Sequence, residues 1–489
     1  MATVAIRCCA RTSSSKWHSG QLVRIMRSQT QVREFSLLSN LSQRIIDSEY
    51  GHRAATTLQA QEAVAQHPTG QRADRFDEQV LSCLFEPSLL AGGTSAFSEP
   101  VCNRAQHYLD AISATDYTAL GHPTFRHAVA EFFTARDAGL ATNPDDVLLF
   151  DGGASAALEC LLRVVLADED DAVLLPLPLY PLWSSTAHRL GKRSGGYYLD
   201  EDANWGITTN ELSKSLQQVH DTNGRARALV VINPGNPAGQ ILSRSEMEAI
   251  LAFAEQERLV VVADEAQQGC QYLDSSRPWL SFRQVASELK SDAELLSLHV
   301  AGPGAWGVEG AALVCHNVSE STRKRLTADV LGSEQGPRRG GKLGLGHALM
   351  ATVVTPPPAD CTAAEQRIAE RQRLASGFLR KAEIAQRRFA AVEGCTCVLP
   401  QAGPFIFPRV IIKGYVMKKA ISFATPADQI YCMELAEREG VAVMPGCGLG
   451  QRPGHFHFRF SLNQSELAMM ATLDTFERFH QEHPGGWFE

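Results

Sequence analysis

Four short segments of this 489-residue chain carry residue types that do chemistry, and three of them directly follow an apolar run. The first is Asp151-Gly152-Gly153-Ala154-Ser155, between the apolar run 147–150 and the helix-like stretch 156–165. Small residues let a backbone approach an anion, a helix start offers free N–H groups, and the Ser155 hydroxyl can donate. A plain strand-to-helix turn reads the same way when taken alone. The second is Asn233-Pro234-Gly235-Asn236-Pro237-Ala238-Gly239, after the apolar run 228–232. Its prolines stiffen a turn that leaves amide side chains at a strand end. The third is Asp264-Glu265, after the apolar run 259–263. Two acids at the end of an apolar strand are poorly solvated and need partners; an N-cap or a solvated loop is the plainer role. The fourth is Phe458-Arg459-Phe460, where the planar fork of an arginine suits a carboxylate. A surface ion pair is its structural alternative.

These segments need elements to hold them. From His122 the chain alternates strand and helix patterns. A helix spans 122–137 with Phe125, Val129, Phe132 and Phe133 on one side and Pro123 near its start. Strands are expected at 147–150, 172–175, 228–232, 259–263, 295–299 and 311–315. The helix before 259 starts at Ser243, with Glu246 completing a capping box. Such alternation predicts an α/β fold with a mostly parallel central sheet and helices on both faces. Ligands of such sheets bind at the carboxyl ends of the strands, where three of the four segments lie. Residues 34–98 read as a helical arm. Pro356-Pro357-Pro358 breaks the chain, and a long helix follows with Leu374, Phe378, Ala382, Ala385 and Phe389 at helical spacing. Strand-like runs at 405–412 and 455–462, a helix from Ala427 and a last helix from about Ser465 predict a smaller α+β domain.

Composition narrows the function classes. The chain is 44% apolar and 20% charged, with net charge −8, which disfavours a nucleic-acid binder. No run of 18 apolar residues is present, so no membrane helix is expected. Twelve cysteines do not make a disulfide framework, and Cys395 and Cys397 are too close for a zinc pair; no metal is expected. Residues 1–33 differ from the rest. They hold six basic residues (Arg7, Arg11, Lys16, Arg24, Arg27, Arg33), five serines and no acid. That pattern reads as a transit peptide for the mitochondrial matrix, with plastid import compatible with the same composition. Without those six the chain has 40 basic against 54 acidic residues.

In order and spacing, the four segments resemble the class I/II aminotransferases, and within them most closely the alanine aminotransferases. Further matching text is Arg126 to Asp137, Leu177-Pro178-Leu179-Tyr180-Pro181-Leu182-Trp183, Tyr197-Tyr198-Leu199-Asp200-Glu201, Met444-Pro445-Gly446 and Gly450-Gln451-Arg452. The resemblance implies the type I fold of enzymes that use pyridoxal 5′-phosphate and move an amino group between L-alanine and 2-oxoglutarate. It implies an arm at 34–119 that contributes to the small domain, a large cofactor-binding domain at 120–355 and a small domain at 356–489. Asp264 would hold the pyridinium nitrogen and Asn236 the ring 3-oxygen. Tyr180 would stack on the ring, and Gly153, Ala154 and Ser155 would cradle the phosphate. Tyr117 would reach the neighbouring subunit's phosphate, which implies a dimer. Arg459 would clamp the substrate carboxylate.

The defining residue of the resemblance is missing. The family's Schiff-base lysine stands in a Ser-x-x-Lys-Gly loop just after a strand, and aligning Ser297-Leu298-His299 with the family text before that loop puts Pro303 at the lysine position. No lysine occurs from Ser291 to Arg323. The phosphate serine is Val300, the phosphate arginine is absent from Val308-Glu309-Gly310-Ala311-Ala312, and Gln267 replaces a tyrosine. Lys290 lies too early and Lys342 sits in a basic loop. A mis-joined exon would produce the same text. The expectation is an impaired transaminase with non-covalent, weak cofactor binding. The alternative is a non-catalytic relative that binds the cofactor or a small carboxylate, or that pairs with an active relative in a heterodimer.

Overall fold

The computed structural model describes residues 74–90, 97–113, 121–272, 278–301, 308–332 and 344–481. Tyr117, Pro303, Lys342 and the leader at 1–33 lie outside the described residues. In chain order the helices are Arg75–Phe85 (α1), Glu99–Ser113 (α2), Pro123–Arg136 (α3), Gly153–Val165 (α4), Leu182–Arg189 (α5), Thr209–Asp221 (α6), Arg244–Glu257 (α7), Phe282–Leu289 (α8), Glu320–Gly332 (α9), Leu345–Val354 (α10), Thr362–Ala391 (α11), Gly414–Phe423 (α12), Ala427–Glu439 (α13) and Glu466–Gln481 (α14). The larger strands are Val147–Asp151 (β1), Asp171–Leu177 (β2), Arg193–Tyr198 (β3), Arg225–Ile232 (β4), Val260–Asp264 (β5), Leu295–Ala301 (β6) and Gly310–His316 (β7).

These seven strands form one sheet in the order β1-β7-β6-β5-β4-β2-β3. β6, β5, β4, β2 and β3 are mutually parallel, and β7 runs antiparallel to both β6 and β1. The carboxyl ends of β1, β4, β5 and β6 therefore share one edge, and β7 starts there. Alternation along each strand splits its side chains between two faces. Leu148 and Phe150 join Leu158 and Leu161 of α4, whereas Val147 and Leu149 join Phe125 and Phe133 of α3 and Leu349 of α10. Leu229, Val231 and Val261 pack under α6 and α7.

Local chemistry explains several boundaries. His122 caps α3 by accepting from the Thr124 N–H, and Pro123 occupies the first helical position. The capping box at Ser243 and Glu246 is present at α7. β3, of sequence RSGGYY, was not among the expected strands, because two glycines and an exposed start leave no apolar run. The expected strand at 405–412 is instead two short strands, Phe405–Ile406 (β9) and Arg409–Val410 (β10), separated by Phe407 and Pro408; proline cannot donate to a ladder. β10 pairs with Cys395–Thr396 (β8), and β9 pairs with Phe458–Ser461 (β12), which also pairs with Met444–Pro445 (β11). On α11 the apolar stripe is shorter than expected: Ala382, Ala385 and Phe389 are buried, but Leu374 is exposed. A separate core unites these three with β12 and helices α12–α14.

Candidate functional site

The turn after β4 is tied to its neighbours. The Asn233 N–H donates to the Asp264 carbonyl at 3.0 Å, and its side-chain oxygen accepts from the Leu242 N–H at 3.0 Å. The Tyr180 N–H donates to the Asn236 carbonyl at 3.0 Å, which fixes the segment after β2 against this turn. Arg459, on β12, donates to Asn236 Oδ1 at 3.1 Å. Its guanidinium lies 4.0 Å from the centre of the Phe405 ring and 5.6 Å from that of Tyr180. Tyr180, Asn236 and Arg459 thus meet, and Phe405 keeps the cation flat and dry.

Asp264 ends β5 beside them. Trp183 Nε1, at the start of α5, donates to one carboxylate oxygen at 2.9 Å, and the Ala266 N–H donates to the other at 3.2 Å. Burial raises the Asp264 carboxyl above its ordinary range, and both hydrogen bonds oppose that. Glu265 points the other way, into a closed ion cluster. Arg136 Nη1 lies 2.7 Å from Glu265, Arg136 Nε 2.6 Å from Asp137, and Arg283 Nε 2.7 Å from Asp137. The Phe282 N–H also donates to Glu265 at 3.0 Å. The two acids read as a pair in the sequence therefore have different partners: Glu265 is held by Arg136 and the Phe282 N–H, and Asp264 by Trp183 and the Ala266 N–H.

Gly153, Ala154 and Ser155 form the first turn of α4, three strand spacings from Asp264, about 14 Å along the same edge. Gly152 and Gly153 have φ of 92° and 65°, a left-handed entry that glycine adopts without strain. Asp151 turns aside to cap α10, accepting from the Gly346 N–H at 2.7 Å. The side chain of Glu309, arriving just before β7, lies against Gly153: a Cβ there would stand 2.5 Å from Glu309 Oε2. No motif in the sequence marked Glu309, which figured only as part of an arginine-free stretch. The resemblance gives Trp183 no role.

Further along the edge, a cavity of about 190 Å³ opens between the end of β3 and the C-terminal core. Glu201, Arg409, Arg452, His455 and His457 line it. Asp264, Asn236 and Arg459 are not among its lining residues. Among the described residues no group of His, Cys, Asp and Glu could hold a metal, and no helix is long and apolar enough to cross a membrane.

Comparison with known proteins bears on this arrangement. A family model described as aminotransferase class I and II matches residues 98–472. Glutamate–glyoxylate aminotransferase 2 of Arabidopsis thaliana is 30% identical over 428 residues, 85% of this chain and 87% of its own. Alanine aminotransferase 2, mitochondrial, of Arabidopsis thaliana is 31% identical over 428 residues, 84% of this chain and 77% of its own. Among solved structures, an alanine aminotransferase from Pyrococcus furiosus superposes with a TM-score of 0.66 at 19% identity, covering 92% of this chain and all of that one.

Proposed function

The chain belongs to the class I and II aminotransferases, and from that premise we propose that it is a non-covalent member, one that takes a small amino or 2-oxo acid through Arg459 and is impaired in amino transfer. The observation that carries this reading is the absence of any lysine from Ser291 to Arg323, with Pro303 at the family's lysine position. Members of the family use pyridoxal 5′-phosphate, which supplies an electron sink for the substrate's α-carbon when bound. The residues here fit that group on one side only. Asp264, Asn236 and Tyr180 suit its ring. On the phosphate side Val300 and the stretch 308–312 bring no hydroxyl or cation, and the Glu309 carboxylate rests against the glycine of the cradle. As a whole the residues do not fit a tightly held cofactor.

What this chain's residues retain is recognition. Arg459 presents a charged fork to a carboxylate, Asn236 orients it, and Phe405 with Tyr180 excludes water around it. An alanine- or glutamate-sized acid fits that chemistry, in line with the substrates printed in the relatives' names. We assign residues 120–355 and 356–489 as large and small domains. The resemblance at Tyr117 supports a dimer, with itself or with an active relative. The acid-free leader and the mitochondrial relative support import into mitochondria; residues 1–40 fused to a reporter should carry it there, and a diffuse cytosolic signal counts against it.

The deciding experiment is reductive trapping. Full-length protein is incubated with pyridoxal phosphate, reduced with borohydride and peptide-mapped. No label is expected in residues 291–323. A labelled lysine, together with turnover of alanine at the rates of an active relative, overturns the reading.

A further inference from the structure

We propose that Glu309 is a specificity residue: it fills the anion cradle at the start of α4 with the chain's own carboxylate, so that the cleft admits unphosphorylated ligands and turns phosphate esters away. The inference rests on the reading of the chain as a member that holds no cofactor covalently, and it names the ligand class that such a cleft accepts.

The first turn of α4 offers N–H groups with no intrahelical acceptor and carries partial positive charge. Two consecutive left-handed glycines open its face, and Glu309 lies in that opening. A Cβ on Gly153 would stand 2.5 Å from Glu309 Oε2 and 2.7 Å from its Cβ, so both the carboxylate and the root of the side chain occupy the space. The backbone holds it there. The Gly152 N–H donates to the Glu309 carbonyl at 3.2 Å. The next residue, Gly310, pairs with both Asp151 and Ala301, and a side chain on it would run into the Gly346 carbonyl. Glu309 therefore cannot leave by a shift of its own main chain without disturbing two strands.

No cation among the described residues forms an ion pair with Glu309, and burial alone raises its carboxyl. A phosphate dianion arriving at Gly153, Ala154 and Ser155 would meet the Glu309 carboxylate, a like charge. An unphosphorylated ligand, anchored by its carboxylate at Arg459, meets no such penalty.

The test compares pyridoxal 5′-phosphate with pyridoxal, which differ only in the phosphate, by titration calorimetry on the full-length wild type, Glu309→Gln and Glu309→Ala. Inorganic phosphate is the third probe, and thermal melting confirms folding. Expected is a wild type that binds the phosphorylated probe no tighter than pyridoxal and does not bind inorganic phosphate. Both variants should gain tenfold or more for the phosphorylated probe while pyridoxal stays within twofold. A wild type that prefers the phosphorylated probe by tenfold overturns the proposal without any variant. So does an unchanged ratio in the variants, including no measurable binding of either probe to any of the three proteins. These are reversible affinities, so a lysine found by reductive trapping would sink the proposed function while leaving this ratio to be judged by itself.

Discussion

Gly153 and Glu309 are 156 positions apart in sequence yet share one small volume, and that volume sets a measurable coupling. At Gly153 an alanine faces two costs. Its φ of 65° is left-handed, which costs an L-residue about 1–2 kcal/mol. Its methyl would also press on Glu309. Gly153→Ala should therefore destabilise by more than the backbone cost alone. In a Glu309→Ala background the clash with the carboxylate disappears, while the backbone cost and the close contact with the Cβ at 309 stay. A double-mutant cycle by urea unfolding should give a coupling of about 0.5–3 kcal/mol, the range of residues in contact. Strict additivity would mean that the Glu309 side chain does not lie where it is described. Neither residue announced the other in the sequence. The glycines after β1 read as an anion cradle, correctly placed at a helix start. A side chain delivered by a different strand leaves no local pattern, so the cradle's occupant was illegible.

At the scale of elements, the strand ends were legible for a physical reason. Buried parallel strands read as apolar runs, and the polar residue that ends each run stands at the ligand edge. Asn236 and Asp264 stand out that way, whereas Arg459 lies inside the antiparallel β12 and stands out only as an arginine between two phenylalanines. β3 escaped because an edge strand needs no apolar run, and 405–412 was misread because Pro408 interrupts an otherwise strand-like string. The ion cluster was illegible as well: Arg136 and Arg283 come from α3 and α8, and nothing in either helix names Asp137 or Glu265 as a partner. His299 of β6 lies behind that cluster, fully buried between the Phe132 and Phe133 rings and in contact with Gln268. Burial, with Arg136 nearby, pushes its imidazole down to about 3. The unfolded chain binds that proton with an ordinary affinity near 6.5, so it holds more protons than the folded one between those values. Stability should fall as pH drops from 6.5, by up to about 1.4 kcal/mol per pH unit from this group. Burial raises the Glu265 carboxyl, which contributes with the opposite sign, so the total slope alone does not isolate His299. His299→Phe should flatten the slope whatever it does to absolute stability. Urea midpoints from pH 4.5 to 7 read this out, and parallel slopes for variant and wild type would contradict it.

Over the whole molecule, two cores must be held together, one around the seven-stranded sheet and one around α11–α14. Glu201 sits at that junction, in the turn after β3. Its Oε2 lies 3.3 Å from His457 Nε2, 3.8 Å from His455 Nδ1 and 3.6 Å from Arg409 Nη1, three groups of the C-terminal segment. Rings back the polar bridge: His457 stacks on Phe407 at 4.7 Å, and Trp205, from the Glu201 turn, packs 5.6 Å from His457. Burial pushes the Glu201 carboxyl up, but the His457 hydrogen bond and the charges of His457, Arg409 and His455 outweigh it, so the net shift is downward. A carboxyl whose folded value is depressed stabilises the fold above its unfolded range and loses that contribution as pH falls through the folded value. Glu201→Gln keeps the shape and removes the charge. It should cost about 1.5–3 kcal/mol at pH 7, the scale of a hydrogen bond to a charged group. The gap between variant and wild type should close as the pH falls below the ordinary carboxylate range, because the wild type then carries a neutral acid at the same place. Urea unfolding at pH 7 and pH 3, with His299 intact in both proteins so that its own contribution cancels, measures the gap directly. A gap that stays constant between those two pH values would mean that Glu201 holds the cores together by shape rather than by charge.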